Sequence, residues 1–131
     1  MEAFEKYNAN PYENNVGDCT VRAISKVLGR DWDTVYIGLF LEGLRLKDMP
    51  SANHVWGAYL RRNGFTRRII PDELGDNYTV RDFCDDHPCG IYLLAIDGHV
   101  VAVENGRYFD TFDSGNEIPL YYWERKGEDN R

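Results

Sequence analysis

The sequence predicts an α+β fold in which N-terminal helices pack on a C-terminal antiparallel β-sheet. Two observations carry this. Apolar residues recur at helical spacing through the first half of the chain, while short β-branched and aromatic runs fill the second half. Tight-turn dipeptides separate those runs, so the strands form a meander, with the helices against one face of the sheet. A chain of 131 residues, 43% hydrophobic and 14% aromatic, can close a core without disulfides or metal, so residues 1–131 are read as one domain.

Residues 1–17 read as an extended, turn-rich lead-in broken by Asn10-Pro11 and Asn14-Asn15. From Cys19, the residues Val21, Ile24, Val27 and Leu28 recur at helical spacing, and Gly29 supplies a stop. Asp31 caps a second helix whose apolar stripe is Trp32, Val35, Tyr36, Leu39 and Phe40. Gly38 and Gly43 weaken that helix, and it ends before Asp48-Met49-Pro50. Ser51 starts a third helix through Val55, Trp56, Tyr59 and Leu60, closed by Asn63-Gly64. Phe65 to Ile70 reads as a strand stopped by Pro71, and residues 71–78 as a loop. Thr79 caps a brief helix reaching about His87. Ile91 to Ile96 is a strand, Asp97-Gly98 a type I′ turn, and Ile118 to Trp123 a last strand. Residues 124–131 read as a loose charged tail.

The sharpest local signal is Asn105-Gly106, between the apolar run Val100–Val103 and the aromatic run Tyr108–Phe112. A two-residue type I′ turn there sets Glu104 opposite Arg107. Counting back, Val103 faces Tyr108, Val101 faces Asp110 and His99 faces Phe112. Side chains alternate with period two, so His99 and Asp110 become diagonal neighbours, with Cβ atoms roughly 7 Å apart or less. That is the arrangement of a histidine with its orienting carboxylate.

The net charge of −7 speaks against a nucleic-acid duplex or an anionic membrane as partner, because no basic field exists to release counterions. Arg61-Arg62 and Arg67-Arg68 read as solvated faces. No apolar run approaches the roughly 20 residues that span a bilayer, and Met1 to Lys6 lacks the pattern of a signal peptide. With an odd number of cysteines, three, the chain is expected in a reducing cytosol with free thiols.

Cys19 stands where the coil Val16-Gly17-Asp18 turns into a helix. There the macrodipole and the unpaired backbone N–H groups favour a thiolate and can also hold an oxyanion. The bland alternative is a small buried hydrophobe. A histidine and an aspartate downstream turn the cysteine into the first member of a nucleophile–base–orienter set.

Three motifs resemble those of papain-like cysteine peptidases. Gly17-Asp18-Cys19 with Thr20-Val21-Arg22-Ala23 looks like the nucleophile helix. Gly98 to Val103 looks like the strand that begins with the catalytic histidine, and Tyr108 to Asp113 like the following strand. The overall size is closest to small bacterial and phage members and to bacteriocin-processing peptidases. The resemblance implies a thiol hydrolase of peptide, isopeptide or other amide bonds, with a protein or peptide substrate and no cofactor. Cys19, His99 and Asp110 would be catalytic, and the groove would lie between helices and sheet. Asp113 is the other candidate for the third member, but it would need a bulge to turn toward His99. Glu13 stands where the family carries its oxyanion glutamine, six residues before the cysteine, and Asn14 or Asn15 could donate instead. Asp18 reads as the helix N-cap. Two further functions fit the same fold: a non-catalytic binder, such as a phage-encoded factor sequestering a host protein or small ligand, and a thiol deamidase or acyltransferase.

Other chemistry-bearing residues read as structural. Cys84, His87 and Cys89 lack a fourth ligand for zinc, so no metal is expected. His54 reads as a surface or core residue, Trp32, Trp56 and Trp123 as core aromatics, and no phosphate loop or dinucleotide fingerprint is present.

Overall fold

The computed structural model describes residues 2–125. In chain order the elements are β1 (Phe4–Lys6), α1 (Cys19–Leu28), α2 (Trp32–Leu46), α3 (Asn53–Arg62), β2 (Phe65–Ile69), α4 (Val80–Asp86), β3 (Ile91–Ile96), β4 (His99–Glu104), β5 (Arg107–Asp110) and β6 (Tyr121–Arg125). A short 3₁₀ turn at Asp72–Leu74 interrupts the stretch expected as loop. The class is α+β, as the sequence predicts. All six strands form one sheet in the order β1-β5-β4-β3-β6-β2.

Local chemistry explains the elements that were foreseen. Gly29 ends α1 in the left-handed conformation, φ 65°. The Asp31 carboxylate accepts the Thr34 N–H and caps α2. Thr79 and Asp82 form a reciprocal capping box that starts α4. Asn105 and Gly106 have φ 51° and 79°, the pair of positive values a type I′ turn needs. The register follows: Glu104 pairs with Arg107, Val103 with Tyr108 and Ala102 with Phe109.

The layering differs from the expectation of helices on one face. Helices α1, α2 and α3 bury Ile24, Val27, Val35, Leu39, Trp56 and Leu60 against Leu93, Ala95, Val100 and Ala102. On the opposite face α4 packs Val80, Phe83 and Cys84 against Leu94, Ile96, Val101, Val103 and Tyr108. Two-sided cover is why β3 and β4 are continuously apolar rather than alternating.

The sheet is also not purely antiparallel. Strand β1, inside the lead-in, pairs parallel to β5, with Phe4 opposite Tyr108. Strand β2 joins the far edge by pairing with β6, Phe65 opposite Arg125. Boundaries shift in three places. Helix α3 starts at Asn53 after an N-cap at Ala52 rather than at Ser51. Strand β6 starts at Tyr121, not Ile118, and holds Glu124 and Arg125, which were assigned to the tail. The remainder of that tail, residues 126–131, lies outside the described residues. Asp97 does not take a positive φ and only Gly98 does, so their turn is not type I′. Tyr36 and Phe40, placed on the buried stripe of α2, are 41% and 49% exposed. Among the described residues no helix is long and apolar enough to cross a membrane.

Candidate active site

Cys19 is the first residue of α1, so its backbone N–H has no acceptor within the helix. The side chain reaches the end of the sheet where β4 and β5 part. In this hairpin the hydrogen-bonded pairs alternate, Glu104 with Arg107 and then Ala102 with Phe109. The next such pair would be Val100 with Thr111, but the ladder stops two pairs short of it. The Val100 N–H therefore has no strand partner, and it donates to the Cys19 sulfur instead. The Thr20 hydroxyl and the His99 ring complete the surroundings of the thiol.

His99 is the first residue of β4, next to the parted end. Its Nε2 lies 2.7 Å from Asp110 Oδ2, which leaves Nδ1 as the ring nitrogen for the thiol. The Phe112 ring leans on it, centroids 5.1 Å apart, and that ring is half-exposed. Asp110 ends β5 and is 2% exposed. Its Oδ2 also accepts from Ser114 Oγ at 2.7 Å, and its Oδ1 accepts the Thr111 N–H at 2.8 Å. The expected neighbours thus meet, and α1 brings the thiol to them.

Burial alone would push the Cys19 thiol up. The hydrogen bonds from His99 and the Val100 N–H, the charge on His99 and the Thr20 hydroxyl outweigh it, and the thiol titrates below its ordinary value. Burial likewise pushes the His99 imidazole down. Its hydrogen bonds to Asp110 and Cys19, with their negative charges, overcome this and raise it to about 9. Both shifts act in one direction: each group favours the charged form of the other, thiolate beside imidazolium.

Beneath the pair lies a second layer that the sequence reading missed. Arg22 is buried one turn into α1 and directs its guanidinium at two carboxylates. One nitrogen, Nη1, binds Asp18, and Nη2 lies 3.6 Å from Asp110 Oδ1. Asp18 is also buried and does not cap α1 through its side chain. Its other oxygen accepts the Trp32 Nε1–H at 2.8 Å, tying the start of α2 to the start of α1. Asp113, the alternative third member, is held elsewhere by the Tyr108 hydroxyl, Arg81 and the Gly115 N–H.

Two clefts flank the pair. One, of about 460 Å³, opens over Cys19 and His99 and is walled by Val16, Asn53, Trp56 and Leu120. It lies between helices and sheet, where the groove was expected. The other, of about 570 Å³, lies beyond Phe112 and is lined by Tyr7, Glu13 and Asn15. Glu13 takes a left-handed φ of 57°. The Asn14 carbonyl accepts from Asn8 Nδ2. Asn15, considered as an oxyanion donor, thus lines the second cleft together with Glu13, whereas Asn53 is the side-chain amide in the cleft with Cys19.

The remaining sequence candidates are structural. His87 stacks on Phe83 at 3.8 Å and its Nδ1 bonds the Phe83 carbonyl, while Cys84 is buried and Cys89 exposed. Among the described residues no three His, Cys, Asp or Glu side chains gather as a metal site. His54 pairs with Asp48 on the surface, Trp56 and Trp123 are core residues, and Trp32 is partly buried beside them. Comparison of the chain with protein-family models, with curated proteins and with solved structures finds no match.

Proposed function

We propose that this protein is a papain-like thiol hydrolase that cleaves a peptide, isopeptide or other amide bond. One observation carries the reading: an unbroken line of hydrogen bonds from Cys19 through His99 to the buried Asp110, with the thiol end open to a cleft. The Cys19 thiolate would attack the carbonyl carbon, and the displaced π electrons would form an oxyanion that the free Cys19 N–H can hold. His99 would then pass its Nδ1 proton to the departing amine as the C–N bond breaks, leaving an acyl-thioester on Cys19. Neutral His99 would take a proton from water, whose oxygen attacks the thioester. Collapse releases the acid and restores the ion pair. Asp110 would stay ionised, holding the ring and stabilising its charge.

The test is covalent and catalytic together. The protein is incubated with a peptide library and with a peptidyl chloromethyl ketone, and products and protein mass are read by mass spectrometry. The proposal requires cleavage and a single adduct on Cys19, both lost in Cys19→Ala. Absence of cleavage together with a biological effect that persists in Cys19→Ala would make the chain a binding protein instead.

A further inference from the structure

Helix α2 carries an apolar face turned away from the protein. Tyr36, Ile37, Phe40, Leu41 and Leu44 are each between 41% and 64% exposed. With on the order of 100 Å² free on each, they make a patch of about 500 Å², toward the top of the range for the largest patch on a monomer. Nothing in the site needs it, because no residue lining either cleft comes from α2. The inner side of the helix explains why the face points outward. Val35, Leu39, Glu42 and Gly43 are already buried, and a Cβ at Gly38 would lie 2.5 Å from the Tyr59 ring.

The pattern along this face names what covers it. Asp33, Ile37, Phe40 and Leu44 follow one another at spacings of four, three and four, the seam of a helix that pairs with another helix, and Lys47 comes three residues later as the left-handed C-cap just past the helix end. The seam begins with an exposed acid and ends with an exposed base. It is therefore complementary to itself when reversed. An antiparallel copy centred on Phe40 sets Asp33 against Lys47 of the other chain at both ends, and Leu44 against Tyr36 with Ile37 beside it. The helix dipoles then also oppose. About 500 Å² of apolar core with a charged rim approaches the roughly 800 Å² per partner of a standard interface. We infer that the chain forms a two-fold dimer through α2, packed antiparallel against the α2 of a second copy.

Sedimentation velocity on the full chain, from low micromolar to near-millimolar concentration, tests it. The wild type is expected to shift from monomer to dimer across that range. Leu44→Glu puts a charge within the apolar part of the seam and should weaken association by about a hundredfold. Asp33→Lys should weaken it by about tenfold, and Asp33→Lys combined with Lys47→Asp should recover most of the loss, which general surface stickiness would not do. The iodoacetamide labelling rate of Cys19, unchanged in each variant, shows that the fold is intact. A monomer throughout the range, or a Leu44→Glu variant that associates like wild type, overturns the dimer and leaves α2 to a different protein.

Discussion

The backbone N–H of Val100 donates to the sulfur of Cys19 because the strand partner it would have had, at Thr111, has turned away. The early end of one ladder thus supplies a donor to the nucleophile and opens the space that α1 enters. His99 and Asp110 flank the same opening, so a single departure from regular pairing assembles all three side chains.

Thiol reactivity should report this directly. Cys84 is buried, and burial raises its thiol to about 12, so it should hardly react in the folded protein. Cys89 is exposed but has none of the donors around Cys19. Iodoacetamide near neutral pH should therefore label Cys19 well ahead of both, with the three rates converging after unfolding. Comparable rates in the folded state would remove the case for a poised thiolate.

The pH dependence has two limbs of known sign. Labelling of Cys19 should rise with pH through a midpoint below that of an ordinary thiol, because the donors favour the thiolate. Hydrolysis additionally needs protonated His99 and should fall as pH rises through about 9. His99→Ala removes the strongest donor while burial remains. Its labelling midpoint should move up, and the rate at pH 7 should drop by about tenfold or more. A midpoint unmoved by His99→Ala would mean that the ring does not hold the thiolate.

The site was legible where short-range chemistry decides. Asn105-Gly106 specified the turn, and the turn specified the register as far as Ala102 with Phe109. The alternation of side chains put Asp110 rather than Asp113 on the side of His99, although the pairs Val101 with Asp110 and His99 with Phe112 do not form. Illegible were features set by distant partners. Nothing local in the sequence marks Arg22 for burial, yet Asp18 and Asp110 draw it inside. Ser114 carries no local signal either, yet it donates to Asp110. The pairing of β1 depends on three residues with no pattern of their own. The cover of α4 was foreshadowed, since Leu93–Ile96 and Val100–Val103 are apolar without alternation, the pattern of strands buried on both faces.

Substitutions at the end of β5 and in the loop after it should separate the two aspartates. Asp110→Ala removes the partner of the imidazole and should lower kcat/KM by about a hundredfold or more, with Asp110→Asn less damaging because it keeps a hydrogen bond. Asp113→Ala loses an exposed ion pair with Arg81 and a bond from Tyr108, and should lower stability only slightly at near wild-type activity. If Asp113→Ala were the crippled variant, the assignment of Asp110 would be wrong.

The buried cation beneath the site makes the last prediction. Arg22 stands between Asp18 and Asp110, which are 6% and 2% exposed. Arg22→Met fits the space but leaves two carboxylates facing each other in the interior. Breaking a buried pair from one side costs about 3–5 kcal/mol, because the remaining charge has neither water nor a partner. Asp110 retains His99, Ser114 and the Thr111 N–H, whereas Asp18 retains Trp32. The larger part of the cost therefore falls on Asp18. Adding Asp18→Asn to Arg22→Met removes that charge, and the amide can still accept from the Trp32 indole. The double variant should thus be more stable than Arg22→Met alone, with a coupling of about 1–3 kcal/mol in a urea-unfolding cycle. Additive losses would show that Arg22 holds its place by packing and not by charge.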